Sequence, residues 1–99
     1  KHAVIGLTRS AGLHNARYNV RVNAACPGSV DTAMLAPSIE QIPGGLAALN
    51  AGNPARRMAD PAEIADAILW LSSDQSRYVV GHPMVVDGGQ SAGLSPWGE

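Results

Sequence analysis

Two strand-like runs lie far apart in this chain, and what separates them decides how they can pair. From Val20 the residues alternate, with Val20, Val22 and Ala24 on one side and Arg21, Asn23 and Ala25 on the other, until Pro27 removes a backbone donor and ends the strand. The second run is continuous, Met84 to Val86, bounded by Pro83 and by Asp87, Gly88 and Gly89, the pattern of a strand buried on both faces. No two-residue turn is present to make them a hairpin. A helix intervenes instead, so the strands are expected to be parallel, with a right-handed crossover, as in half of an α/β layer.

The intervening helix is written in "DPAEIADAILWLSS": Asp60 can cap, Pro61 suits the first helical position and Glu63 completes a capping box. Ile64, Ile68 and Leu71 form its expected buried stripe, Ala65 and Leu69 widen it, and Ser72 to Ser76 end it. An earlier helix is predicted over residues 1–17, where Ala3, Val4, Leu7 and Ala11 fall at helical spacing while Gly6 and Gly12 allow close packing against a neighbour. Between strand and second helix, residues 36–59 carry Pro37, Pro43, Gly44, Gly45, Gly52 and Pro54, which exclude a long regular element. A loop of that length inside a compact domain usually has a function. The tail "SAGLSPWGE" has no periodicity and reads as a loosely docked terminus.

Ninety-nine residues fit one domain, yet a sheet of two strands leaves open edges and gives a helix little to pack against. Because the chain opens on Lys1 with an apolar helical pattern already under way, a fragment is expected. Seven basic and eight acidic side chains give a net charge of −1, which offers no electrostatic footprint for nucleic acid or an anionic membrane. No apolar run approaches the roughly 20 residues that span a bilayer, so no membrane segment is expected. The single cysteine, Cys26, forms no internal disulfide and suits a reducing, cytoplasmic setting; without a partner base it reads as a small buried residue. His2, His14 and His82 are widely spaced and lack cysteine or carboxylate at metal-ligand spacing, so no metal site is expected. Asn23 reads as satisfying backbone groups, Arg56 and Arg57 as a solvated pair, and Asp87 as fixing the turn after the last strand.

In open α/β sheets, ligands collect beyond the carboxyl ends of strands. Residues 26–32 occupy such an end. Pro27 biases Cys26 toward extended backbone, Gly28 lets the chain turn with no side chain in a ligand's path, and Asp31 or Thr32 can meet a ligand or cap a helix through "DTAML". A strand closed by an ordinary turn and cap has the same pattern, and spacing alone does not separate the two.

Taken together, "KHAVIGLTRSAG", "NVRVNAACPGSVDTAM", "MADPAEIADAILWLSSDQSRYVVG" and "MVVDGG" resemble, in order and spacing, the C-terminal part of the short-chain dehydrogenase/reductase family. The resemblance spans nearly the whole chain; His82 and Pro83 before the last strand, and "GGLAALNAGNPARRM", depart from the common pattern. It implies the C-terminal part of a Rossmann-type doubly wound parallel sheet, one domain over residues 1–99 with a substrate loop at 33–59, using NAD or NADP to move a hydride to or from an alcohol or carbonyl carbon. Lys1 matches the lysine of the family's Tyr-x-x-x-Lys pair, whose ammonium lowers the tyrosine pKa and binds the nicotinamide ribose. Pro27, Gly28, Val30 and Thr32 match the nicotinamide end of the cofactor site, with the backbone near Val30 meeting the carboxamide. Met34 and Leu35 match the segment that closes over substrate. Relatives assemble as dimers or tetramers through the helix around Trp70 and the final strand, so a homo-oligomer is implied.

The glycine-rich phosphate turn and the active-site serine and tyrosine are not among these residues, so the 99 residues alone are expected to catalyse nothing. The alternative is a noncatalytic truncated or assembly module that associates through residues 60–87.

Overall fold

The computed structural model describes residues 2–93. In chain order these form α1 (His2–Asn15), a 3-10 turn (Ala16–Tyr18), β1 (Ala24–Pro27), α2 (Ala36–Glu40), α3 (Gly45–Ala51), α4 (Pro61–Leu71), a second 3-10 turn (Asp74–Ser76) and β2 (Pro83–Val86). β1 and β2 make a two-stranded sheet. Its hydrogen bonds advance together along both strands, Ala24 N–H to His82 C=O at 3.0 Å and Gly28 N–H to Val86 C=O at 3.1 Å, so the pairing is parallel as expected. The described residues divide into two compact units, one holding residues 2–26 together with Ala65–Val85, the other Pro27–Ile64 and residues 86–93.

In the first unit α1 packs by its small residues. Thr8 and Gly12 are buried, and a Cβ at Gly12 would stand 3.0 Å from the N and Cα of Gly81, so a side chain there would crowd the Gly81 backbone. The apolar spacing of Ala3, Val4 and Leu7 marks a different face, which is exposed. The ladder begins at Ala24, four residues later than the alternation from Val20 suggests. The reason is at Asn23: its side-chain Oδ1, and not a main-chain carbonyl, accepts the His82 N–H at 2.9 Å, while its Nδ2 donates to Val79 C=O at 3.0 Å.

The stripe of α4 is only partly covered. Leu71 is buried, but Ile68 is 50% exposed and Leu69 67%. Val85 is 54% exposed, so β2 is not buried on both faces: among the described residues each strand of the two-stranded sheet has one neighbour, and the side chain of Val85 is left without full cover. The C-terminus of α4 is closed by Arg21, whose guanidinium donates to the carbonyls of Leu71 (2.8 Å) and Ser73 (2.9 Å) and to the hydroxyl of the fully buried Ser76 (3.1 Å). A cation there satisfies orphan carbonyls and meets the negative end of the helix dipole.

The second unit contains the loop. Residues 33–35 are a turn, fastened by Leu35 N–H to Thr32 C=O at 3.1 Å, so helix begins at Ala36 and not within "DTAML". α2 and α3 are the short elements that the proline and glycine density allows, with Gly44 taking a φ of 86° before α3. At the start of α4 the capping box is complete: Asp60 Oδ1 accepts from Ala62 N–H and Glu63 Oε1 accepts from Asp60 N–H, each at 2.9 Å. Val30 and Ala59 form an isolated parallel bridge. Asp87 fixes the turn after β2, as expected, and ties down Ser91 of the supposedly loose tail through its N–H at 2.9 Å and its hydroxyl at 2.6 Å. Residues 94–99 of that tail lie outside the described residues.

Candidate functional site

Beyond the end of β1, within the second unit, is a recess of about 370 Å³ lined by Gly28, Ser29, Val30, Thr32, Met34, Leu35 and Ser38. Five of the residues singled out from the sequence are therefore gathered in one place: Gly28, Val30, Thr32, Met34 and Leu35. Pro27, exposed as the last residue of β1, does not line the recess. Lys1 lies outside the described residues.

Val30 has the most informative backbone. In a parallel bridge the partner bonds to the residues on either side of the bridging one. Ala59 N–H donates to Ser29 C=O and Asp31 N–H donates to Ala59 C=O, both at 2.9 Å. The N–H and C=O of Val30 itself have no partner among the described residues. A donor and an acceptor one residue wide, at the wall of a recess, match the two ends of a carboxamide. The Thr32 hydroxyl, exposed nearby, is likewise without a partner among the described residues.

Gly28 serves packing as well as clearance. A Cβ there would stand 2.8 Å from Asp87 Cβ and 3.0 Å from Asp87 Cα, so the loop leaves the sheet hard against the end of β2. Leu35 is half-buried and forms an apolar wall, whereas Met34 is 90% exposed and stands out in solvent. Sequence reasoning passed over Ser29 and Ser38, whose place in the recess follows from the turn at 33–35 and the start of α2 and carries no local signature.

Asp87, Glu63 and Arg57 are tied into the fold around the loop. Hydrogen bonds from Ser91, first its hydroxyl, and from the turn's N–H groups hold the Asp87 carboxyl below its ordinary range, making it a fixed acceptor. Glu63 is drawn down to about 2, first by hydrogen bonding from Arg57 and then by the backbone of Asp60. Arg57 grips it with both nitrogens, at 2.6 and 2.9 Å, and is itself raised by that contact, so it is paired and not free for a phosphate. Arg56 is exposed with a φ of 63°. The described residues contain no group of three histidine, cysteine or acidic side chains able to hold a metal ion. A larger cavity of about 620 Å³ lies in the first unit beside Arg21 and Asn23, both of which are already committed, Arg21 to the end of α4 and Asn23 to Val79 and His82.

Comparison with known proteins identifies the family and the fold. The family model described as enoyl-(acyl carrier protein) reductase matches residues 1–91. The short-chain dehydrogenase fogB of Aspergillus ruber is 45% identical over 89 residues, which cover 90% of this chain and 33% of that protein. Among solved structures, a short chain dehydrogenase family protein from Francisella tularensis subsp. tularensis SCHU S4 superposes with a TM-score of 0.88 at 34% identity, covering 94% of this chain and 42% of that one. A 4-hydroxyisoleucine dehydrogenase complexed with NADH gives 0.82 at 32% identity, covering 93% and 37%. The chain thus spans about a third of the length of the curated relatives it matches. Its α/β architecture with a parallel sheet is of the Rossmann type that these neighbours share. On the family match along nearly the whole chain, with the strand-end recess and the ordered motifs that lead to it, this chain belongs to the short-chain dehydrogenase/reductase family.

Proposed function

We propose that this chain forms the nicotinamide end of an NAD(P)-dependent oxidoreductase acting on an alcohol or carbonyl carbon. The observation that carries the reading is that the N–H and C=O of Val30, a residue at the wall of the recess, have no partner among the described residues. A nicotinamide dinucleotide, when bound, supplies the hydride chemistry; the protein supplies orientation. Val30 holds the carboxamide by main-chain groups braced from behind by Ala59, so the grip does not depend on a mobile side chain. Thr32 adds a hydroxyl beside it. Leu35 forms the apolar side of the substrate space, and Met34, exposed at the rim, is available to fold over it. Lys1, matching the family lysine, holds the ribose hydroxyls and keeps its tyrosine partner acidic enough to exchange a proton near neutral pH. The NADH complex of a structural neighbour supports the cofactor class. Residues 1–99 alone, lacking the glycine-rich turn, are expected to turn over nothing.

The test is a titration of the full-length protein with NADH and NADPH, followed by turnover against a panel of ketones, quinones and secondary alcohols. Saturable binding of one dinucleotide is expected, and Thr32→Val should weaken it severalfold with no fall in thermal stability, because that hydroxyl is exposed and makes no bond within the described residues. No saturable binding and no turnover would overturn the reading.

A further inference from the structure

Asn53 is one of the few buried polar residues among those described, 7% exposed, and no reading of the sequence gave it a role. Its amide works at both ends. Nδ2 donates to the Asp87 carbonyl at 3.0 Å and Oδ1 accepts from Ala55 N–H at 2.8 Å, while the same N–H reaches the Gly88 carbonyl at 3.1 Å. The turn after β2 is built tightly around this amide: a Cβ at Gly88 would fall 2.6 Å from Asn53 Oδ1 and 3.0 Å from Ala55 Cβ. Gly28 also packs on Asp87, where an added Cβ would fall 2.8 Å from Asp87 Cβ. Farther along the same stretch, Ala59 bonds to Ser29 and Asp31. Residues 53–59 therefore hold the Gly28–Asp31 loop twice, directly through Ala59 and indirectly through Asp87.

We infer that Asn53 is a positioning residue for dinucleotide binding: by fixing Asp87 it sets where Gly28 leaves the sheet, and with the Ala59 bridge it sets the direction in which the Val30 N–H and C=O face. This rests on the cofactor reading above. An amide suits the task because it offers a donor and an acceptor in one plane; a hydroxyl or a carboxylate in its place cannot satisfy both carbonyl and N–H over the same span. Loss of the donor leaves the Asp87 carbonyl without that bond and frees the turn to shift, and small displacements of a ligand-orienting backbone are costly to binding.

The experiment uses the full-length protein and compares Asn53→Ala, Asn53→Asp and Ser76→Ala for dinucleotide affinity and thermal stability. Asn53→Ala should raise the dissociation constant about tenfold. Asn53→Asp keeps the acceptor and loses the donor, so its affinity should be poor at high pH and recover toward wild type as the carboxyl takes up a proton and can donate again. Ser76, buried among carbonyls in the other compact unit, controls for destabilisation alone: Ser76→Ala should lower the melting temperature and leave the dissociation constant unchanged. Wild-type affinity in Asn53→Ala, a pH profile for Asn53→Asp parallel to wild type, or equal weakening in Ser76→Ala would each overturn the inference while leaving the cofactor reading intact. A wild-type protein that binds no dinucleotide would overturn both.

Discussion

Because an obstacle to a side chain at position 28 is the Cα of Asp87, a backbone atom, a rotamer change cannot make room for one. The glycine has two tasks: it clears the approach to the recess, and it lets the loop lie against the end of β2. These separate by experiment. Were clearance its only task, Gly28→Ala would leave the unliganded protein as stable as before and weaken only dinucleotide binding. The packing against Asp87 instead predicts a loss of about 1–3 kcal/mol in unliganded stability, the usual range for overpacking, along with weaker binding. Chemical denaturation with and without dinucleotide reads both. The sequence marks Gly28 through its neighbour Pro27 and its place after an alternating run, but nothing in a one-dimensional string marks its partner. Asn53 is still less visible, since its bond to Asp87 joins residues 34 positions apart and obeys no period. Local chemistry is legible where a residue and its reason sit within one turn of chain.

Helix α4 shows that contrast within a single element. Its N-terminus is readable because Asp60, Pro61 and Glu63 fall within four consecutive residues and satisfy each other. Its C-terminus is closed by Arg21, 50 residues from Leu71, which in the alternating run was only the polar side of a strand. The capping carboxylate has a consequence in acid. Glu63 has a folded pKa of about 2 against an ordinary 4.5, so the folded chain resists its protonation more than the unfolded chain does. Its contribution is complete above about 4.5 and is lost as pH falls through that interval toward 2. Thermal unfolding measured across this window should steepen toward acid in the wild type and be flatter in Glu63→Gln, with the difference shrinking in high salt because the Arg57–Glu63 pair is solvent-exposed. Identical acid limbs in the two proteins would show that the pair contributes nothing to the pH dependence.

At the scale of the whole molecule, the parallel pairing and the element order follow from the sequence, whereas the burial expected from its apolar patterning does not. Alternation and helical spacing report which residues want cover, not whether a given stretch of polypeptide supplies it. In the first unit Ile68, Leu69 and Trp70 of α4, Tyr78 and Val80 beyond it and Val85 of β2 are all exposed. Apolar surface of this extent is stabilised by about 25 cal/mol per Å² when it leaves water, so a covering partner is favoured. A second copy of the same chain meeting α4 and β2 is the proposal here, giving a dimer or tetramer. Leu69, 67% exposed, is the residue to change, since a charge there is tolerated by an isolated chain and not by a buried contact. Leu69→Glu in the full-length protein should lower the mass measured by light scattering to a simple fraction of the wild-type value while the separated subunits keep their helical signal. An unchanged mass with a large loss of thermal stability would mean that the same polypeptide, and not another copy, covers this face.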